Sequence, residues 1–175
     1  YMLLGPLRHR FTALERAKEQ GIGHYFVPRY TRVVDTAESK DNINKAYNLI
    51  STSKVRNEMI IDDVITCVAR KQTPVILTRF KEHAKFLHDV LKEKADHVFL
   101  LYGDNSDKEN AEIRVKLKQI PENESLILVA TGQKIGEGFD FPRLDVLMLA
   151  APVSFEGRLE QYVGRLNRDY VGKEA

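Results

Sequence analysis

Three residues near the C-terminus, Gln161, Arg165 and Arg168, are spaced four and three apart, so they share one face of a helix. Two guanidinium groups on one exposed face can grip a phosphate through paired, charge-assisted hydrogen bonds. The same spacing also suits a solvated basic face. Upstream, Thr131-Gly132 opens a loop that contains Gly136 and Gly138 and ends at Phe139-Asp140-Phe141-Pro142. Glycines let backbone N–H groups approach an anion closely, and Thr131 adds a hydroxyl donor. A long turn would use the same glycines. Two shorter runs complete the set, Thr78-Arg79 and Gly103-Asp104, each placed directly after an apolar run.

What positions these residues is a succession of short elements. Val75 to Leu77, Val98 to Leu101, Leu126 to Val129 and Val146 to Leu149 are continuous apolar runs rather than alternating ones. Strands of that kind are covered on both faces, which predicts an α/β fold with a parallel sheet. Between them, Lys81 to Lys94 reads as a helix with Ala84, Leu87 and Leu91 inward, and His83 and His88 on its surface. Asp107 to Gln119 alternates like a strand at Ile113, Val115 and Leu117. Its length and its content of Lys, Glu, Gln and Ala decide for helix. Before Pro74, one helical face is formed by Ile43, Ala46, Tyr47 and Ile50, and a second by Ile60, Val64, Cys67 and Val68. A short helix is predicted over 11–20, stopped by Gly21 and Gly23, and a final one begins at 159–166. Tyr25 to Val34, with Pro28 inside it, reads as an extended edge segment. In open parallel sheets ligands bind beyond the carboxyl ends of the strands, which is where each of the runs above falls.

The 175 residues suit one domain with a substantial core, and 43% hydrophobic with 30% charged residues is an ordinary globular balance. A net charge of +2 gives no global argument for nucleic acid, so any such argument rests on where the charges lie. The single cysteine, Cys67, excludes an internal disulfide and is expected at a buried apolar position in a reducing cytoplasm. The five histidines lack a surrounding ligand set, so no metal site is expected. No apolar run approaches the ~18 residues of a membrane span, so no membrane partner is expected. The chain opens on Tyr1 and is expected to be part of a longer protein.

Four segments in order carry a resemblance. VILTRFKEHA, from Val75, resembles motif IV of superfamily 2 helicases, and LLYGDNSDKEN the Gly-centred segment that follows it. TGQKIGEGFD, Thr131 to Asp140, followed by Pro142, resembles motif V, and QYVGRLNR, Gln161 to Arg168, resembles motif VI. The resemblance covers roughly residues 74 to 173. It implies a three-layer parallel sheet of the P-loop NTPase (RecA-like) type, in the form of a helicase C-terminal domain. In that family two RecA-like domains clamp ATP with magnesium, held mainly by the first domain. By position, Arg165 and Arg168 correspond to arginine fingers, and Asp140, Gly138 and Gln161 to the ATP side. Thr78, Arg79, Gly103, Thr131 and Gly132 correspond to nucleic-acid backbone contacts. Residues 36–175 form that domain, and residues 1–35, locally basic, are the tail of domain one or a connector.

The departures sharpen the expectation. Tyr162 stands where motif VI usually has arginine, and Asn110 replaces the arginine that DEAD-box proteins carry after the Gly-Asp segment. Motif V is one residue longer than in DEAD-box proteins and closer to repair helicases and restriction-enzyme translocases, which favours DNA over RNA. No phosphate loop and no Asp-Glu-x-His run occurs within the chain, so it is expected to be inactive alone. The alternative is a non-catalytic nucleic-acid-binding module with a degenerate RecA-like fold. A third possibility is an interaction or regulatory protein.

Overall fold

The structure is a computed structural model that describes residues 25–31, 43–103, 105–131 and 141–152. Helices α1 (Ile43–Thr52) and α2 (Lys54–Ala69) lead into strand β1 (Pro74–Thr78). Helix α3 (Lys81–Leu91), strand β2 (His97–Leu101), helix α4 (Asp107–Gln119), strand β3 (Leu126–Thr131) and strand β4 (Val146–Leu149) follow. The strands form one sheet in the order β2-β3-β1-β4, and every pair is parallel. The order explains a difference among four similar apolar runs. The central strands β1 and β3 are buried throughout, whereas the outer strands β2 and β4 are mostly half-buried.

Strand side chains alternate between faces, and each face has its own core. Val75, Leu77, Leu126, Leu128 and Ala130 pack with Leu117 of α4 and with Phe141 and Leu144. Ile76, Ile127 and Val129 pack with Val64 of α2 and Ala84, Leu87 and Leu91 of α3. With helices covering both faces, this is the three-layer α/β architecture that the apolar runs predict. Among the described residues no helix is long and apolar enough to cross a membrane.

Local chemistry sets the element ends. Helix α2 closes with Gln72 N–H on the Cys67 carbonyl and Lys71 N–H on that of Val68. Lys71 takes φ 61°, a left-handed conformation that usually falls to glycine. Helix α4 opens on a capping box: Ser106 Oγ accepts from Glu109 N–H, and the Glu109 carboxylate accepts from Ser106 N–H. That Ser-x-x-Glu pattern explains why a sequence alternating like a strand becomes a helix. Ser106→Ala is expected to lower unfolding stability by about 1 kcal/mol without changing the fold, measured by denaturant titration.

Three expectations need correction. His83 is buried, not on the surface, because its ring is drawn into hydrogen bonds behind α3. Cys67 is half-buried rather than fully buried. Burial, and then Asp145 and Asp63, push its thiol up, so it is a poor nucleophile. Residues 25–31 do not join the sheet as an edge strand. They are tied to α2 by Arg29 Nε on Asp63 at 2.9 Å, while Tyr25, Phe26 and Tyr30 are exposed. The helices expected over 11–20 and from 159 lie outside the described residues.

Candidate nucleic-acid interface

The sheet register aligns the strand ends. Leu101 and Leu77 flank Ala130 across the sheet, Leu149 flanks Leu77, and Thr78 pairs with Thr131. The residues that follow these positions therefore leave from one edge, the carboxyl edge where an open parallel sheet takes its ligand. Thr78, Arg79, Gly103 and Thr131 are brought together there. Gly132, Gly138, Asp140, Gln161, Arg165 and Arg168 lie outside the described residues. What is described is how the ends of the Gly-rich segment are held. Thr131 is buried at the end of β3, and Phe141 and Leu144 sit in the core. Arg143 donates to the carbonyls of Pro121, at 3.0 Å, and Glu122, at 3.2 Å, and to that of Glu124.

Cations collect at the edge on aromatic support. The exposed Arg79 guanidinium lies over the Tyr47 ring, 4.6 Å from its centre, and Tyr47 meets Phe80 edge-on at 6.4 Å. Lys81, in the first turn of α3, folds its side chain over Gly103: a Cβ on that glycine would stand 3.4 Å from Lys81 Cε. One helical turn on, Lys85 Nζ lies 5.5 Å from the centre of the Tyr102 ring. Sequence reasoning singled out Arg79 and Gly103 but not the two lysines. Their signal was available: Lys81 and Lys85 stand in the first two turns of a helix that begins shortly after an apolar strand. Asn110, at the DEAD-box arginine position, is buried and donates to the Asn105 carbonyl at 3.3 Å, which braces the turn after Gly103.

Behind this surface lies a buried polar chain. Asn57 Nδ2 donates to the Ser51 carbonyl at 2.9 Å, Asn57 Oδ1 meets His83 Nε2 at 2.9 Å, and His83 Nδ1 meets Thr78 Oγ1 at 2.8 Å. Next to Asn57, Arg56 donates to the Ala150 carbonyl at 3.0 Å, just past the end of β4. Burial first, and the Arg56 cation second, lower the His83 pKa to about 4, so the ring is neutral at physiological pH. Thr78, expected to offer its hydroxyl to a phosphate, is buried, and its hydroxyl oxygen lies 2.8 Å from His83 Nδ1.

Comparison with known proteins agrees with this geometry. Residues 53–169 match the family described as Helicase conserved C-terminal domain. The transcript termination protein A18 of Yaba-like disease virus is 28% identical over 172 residues, 92% of this chain and 35% of that protein. Its counterpart in Fowlpox virus (strain NVSL) is 31% identical over 117 residues, 65% of this chain and 24% of that protein. The chain thus spans about a third or less of these relatives' length. Among solved structures, T4 UvsW superposes with a TM-score of 0.58 at 23% identity, over 71% of this chain and 25% of that one. The C-terminal part of the Fun30 ATPase domain gives 0.57 at 14% identity, over 73% of this chain and 40% of that one. At these identities the likeness shows the fold. With more than half of its length matched, the chain belongs to the helicase conserved C-terminal domain family, and its parallel sheet between helices is the RecA-like fold of these neighbours.

Proposed function

We propose that this chain is the second motor domain of an ATP-dependent nucleic-acid helicase or translocase. Residues 36–175 form that domain, and residues 1–35 are a tail of the first domain or a connector. The observation that carries the reading is the cation-bearing carboxyl edge, where Arg79 lies over Tyr47 and Lys81 over Gly103, in a chain of this family. Arg79 and Lys81 carry backbone phosphates there, Gly103 admits the strand closely, and Thr131 with Gly132 continues the track. Contacts of this kind give affinity and position rather than sequence. Asp140, Gly138 and Gln161 face ATP with its magnesium ion, which the first RecA-like domain mainly holds. Arg165 and Arg168 reach the γ-phosphate when the domains close. The Gly-Glu-Gly-Phe-Asp-Phe-Pro run supports DNA as the track.

Arg79→Ala in the full-length protein is expected to weaken oligonucleotide binding ~5-fold for every sequence and to reduce the salt slope by about one phosphate. Labelled oligonucleotides titrated at several salt concentrations measure both. A sequence-selective, salt-insensitive complex would instead favour a dedicated binding module. The chain alone is expected to release no phosphate from ATP above background, with or without DNA, because no phosphate loop occurs in it to hold the β- and γ-phosphates. Robust turnover that survives rigorous purification contradicts the reading of half an active site.

A further inference from the structure

Between helix α2 and the end of strand β1, three polar side chains are closed to solvent: Asn57 is 6% exposed, His83 4% and Thr78 4%. Their protons follow from the outer end inward. Asn57 gives its amide N–H to the Ser51 carbonyl, so the atom that faces His83 is its side-chain oxygen. An amide oxygen only accepts, so His83 Nε2 carries a hydrogen. The ring is neutral, because burial and the nearby Arg56 on α2 both disfavour a second proton. Nδ1 therefore holds a lone pair, and the group 2.8 Å away that can donate to it is the Thr78 hydroxyl. A hydroxyl has one proton, and at Thr78 that proton points into the protein.

Phosphate oxygens also only accept. A threonine whose proton is turned inward offers them lone pairs alone, which repel. The next residue along the same strand end is the exposed cation Arg79, and Lys81 lies over Gly103 beside it. We propose that His83 is a positioning residue of the nucleic-acid edge: by keeping the Thr78 hydroxyl proton inside, it makes Thr78 an acceptor only and directs a backbone phosphate onto Arg79 and Lys81. The proposal rests on the reading of this edge as a nucleic-acid track. It accounts for a buried imidazole at the first turn of α3, where an apolar side chain would fill the space without orienting a hydroxyl.

The chemistry separates His83 variants that a packing role would not. In His83→Gln the terminal amide can still donate towards Asn57, but no acceptor remains where Nδ1 stood, so the Thr78 proton is released. Oligonucleotide affinity then becomes sensitive to Thr78. In the full-length protein Thr78→Val alone is expected to leave affinity within about twofold, whereas in the His83→Gln background it costs ~5-fold, a coupling that independent sites do not show. His83→Asn, whose oxygen can stand near the Nδ1 position, is expected to bind like the parent protein.

A second measurement does not depend on any variant folding. Ring nitrogen chemical shifts of isotope-labelled histidine report the tautomer directly, and His83 is expected to carry hydrogen on Nε2 alone and to resist protonation above about pH 5. An Nδ1–H tautomer, or titration near the ordinary histidine value, overturns the proposal. So does a loss on Thr78→Val alone as large as that on Arg79→Ala, which makes Thr78 a phosphate donor. If Arg79→Ala binds like the parent protein, the edge is not the track and the positioning role falls with it. The ring tautomer then still reports whether the hydrogen-bonded chain exists, so the two failures are told apart.

Discussion

Arg168→Ala in the full-length protein is expected to lower nucleic-acid-stimulated ATP hydrolysis by ~10³-fold or more, while nucleic-acid affinity stays within about twofold. Phosphoryl transfer leaves little covalent work to the protein, so positioning and charge stabilisation supply most of the catalysis. An arginine that meets the γ-phosphate only when two domains close contributes where charge shifts in the transition state, and removing it costs about 4 kcal/mol of barrier. Arg165, three residues before it in the sequence, is expected to behave in the same way. Lysine is a poor substitute at either position, because a guanidinium fork holds two phosphate oxygens in fixed geometry and an ammonium does not. Steady-state hydrolysis at saturating DNA, with a parallel binding titration, is the measurement. If affinity collapses while turnover at saturating DNA survives, these arginines are backbone clamps and the finger assignment is wrong.

The fold is expected to lose stability as the pH falls from about 6.5 to about 4, by about 3 kcal/mol attributable to His83. The folded chain holds this imidazole at about 4 through burial and the Arg56 cation, whereas the unfolded chain protonates it at the ordinary value. Between those two values the unfolded state binds more protons than the folded state, so stability rises with pH across the window and is fully present above it. Exposed carboxylates add their own slope at the acid end, so the informative quantity is the difference from His83→Asn. Denaturant unfolding of both proteins near neutral pH and near pH 4.5 gives that difference. The parent protein should lose more than the variant, and equal slopes would mean that His83 carries no depressed pKa.

The four strands and the helices between them were legible because each run keeps one periodicity from end to end. Leu126 to Val129 is apolar at every position, and Ala84, Leu87 and Leu91 return at helical spacing. Asp107 to Gln119 was ambiguous by pattern alone. Composition resolved it, and the structure adds the cap at Ser106. His83 was misread for a related reason. Polar residues on amphipathic helices usually face water, and only the hydrogen bonds His83 makes with Asn57, 26 residues away, and with Thr78 make burial tolerable for this one. Long-range partners leave no trace in local spacing.

The sequence by itself determined the class of the fold, the carboxyl-edge location of Thr78, Arg79, Gly103 and Thr131, and the motif order that marks the family. These follow from local periodicity and from residue types placed just after apolar runs. The tertiary structure decided what depends on contacts between distant segments. It set the order β2-β3-β1-β4, and with it which strands are fully buried. It brought Lys81 over Gly103 and Arg79 over Tyr47, 32 residues earlier in the chain. It also turned the Thr78 hydroxyl towards His83, because a buried imidazole nitrogen must find a donor and the end of β1 supplies one at 2.8 Å.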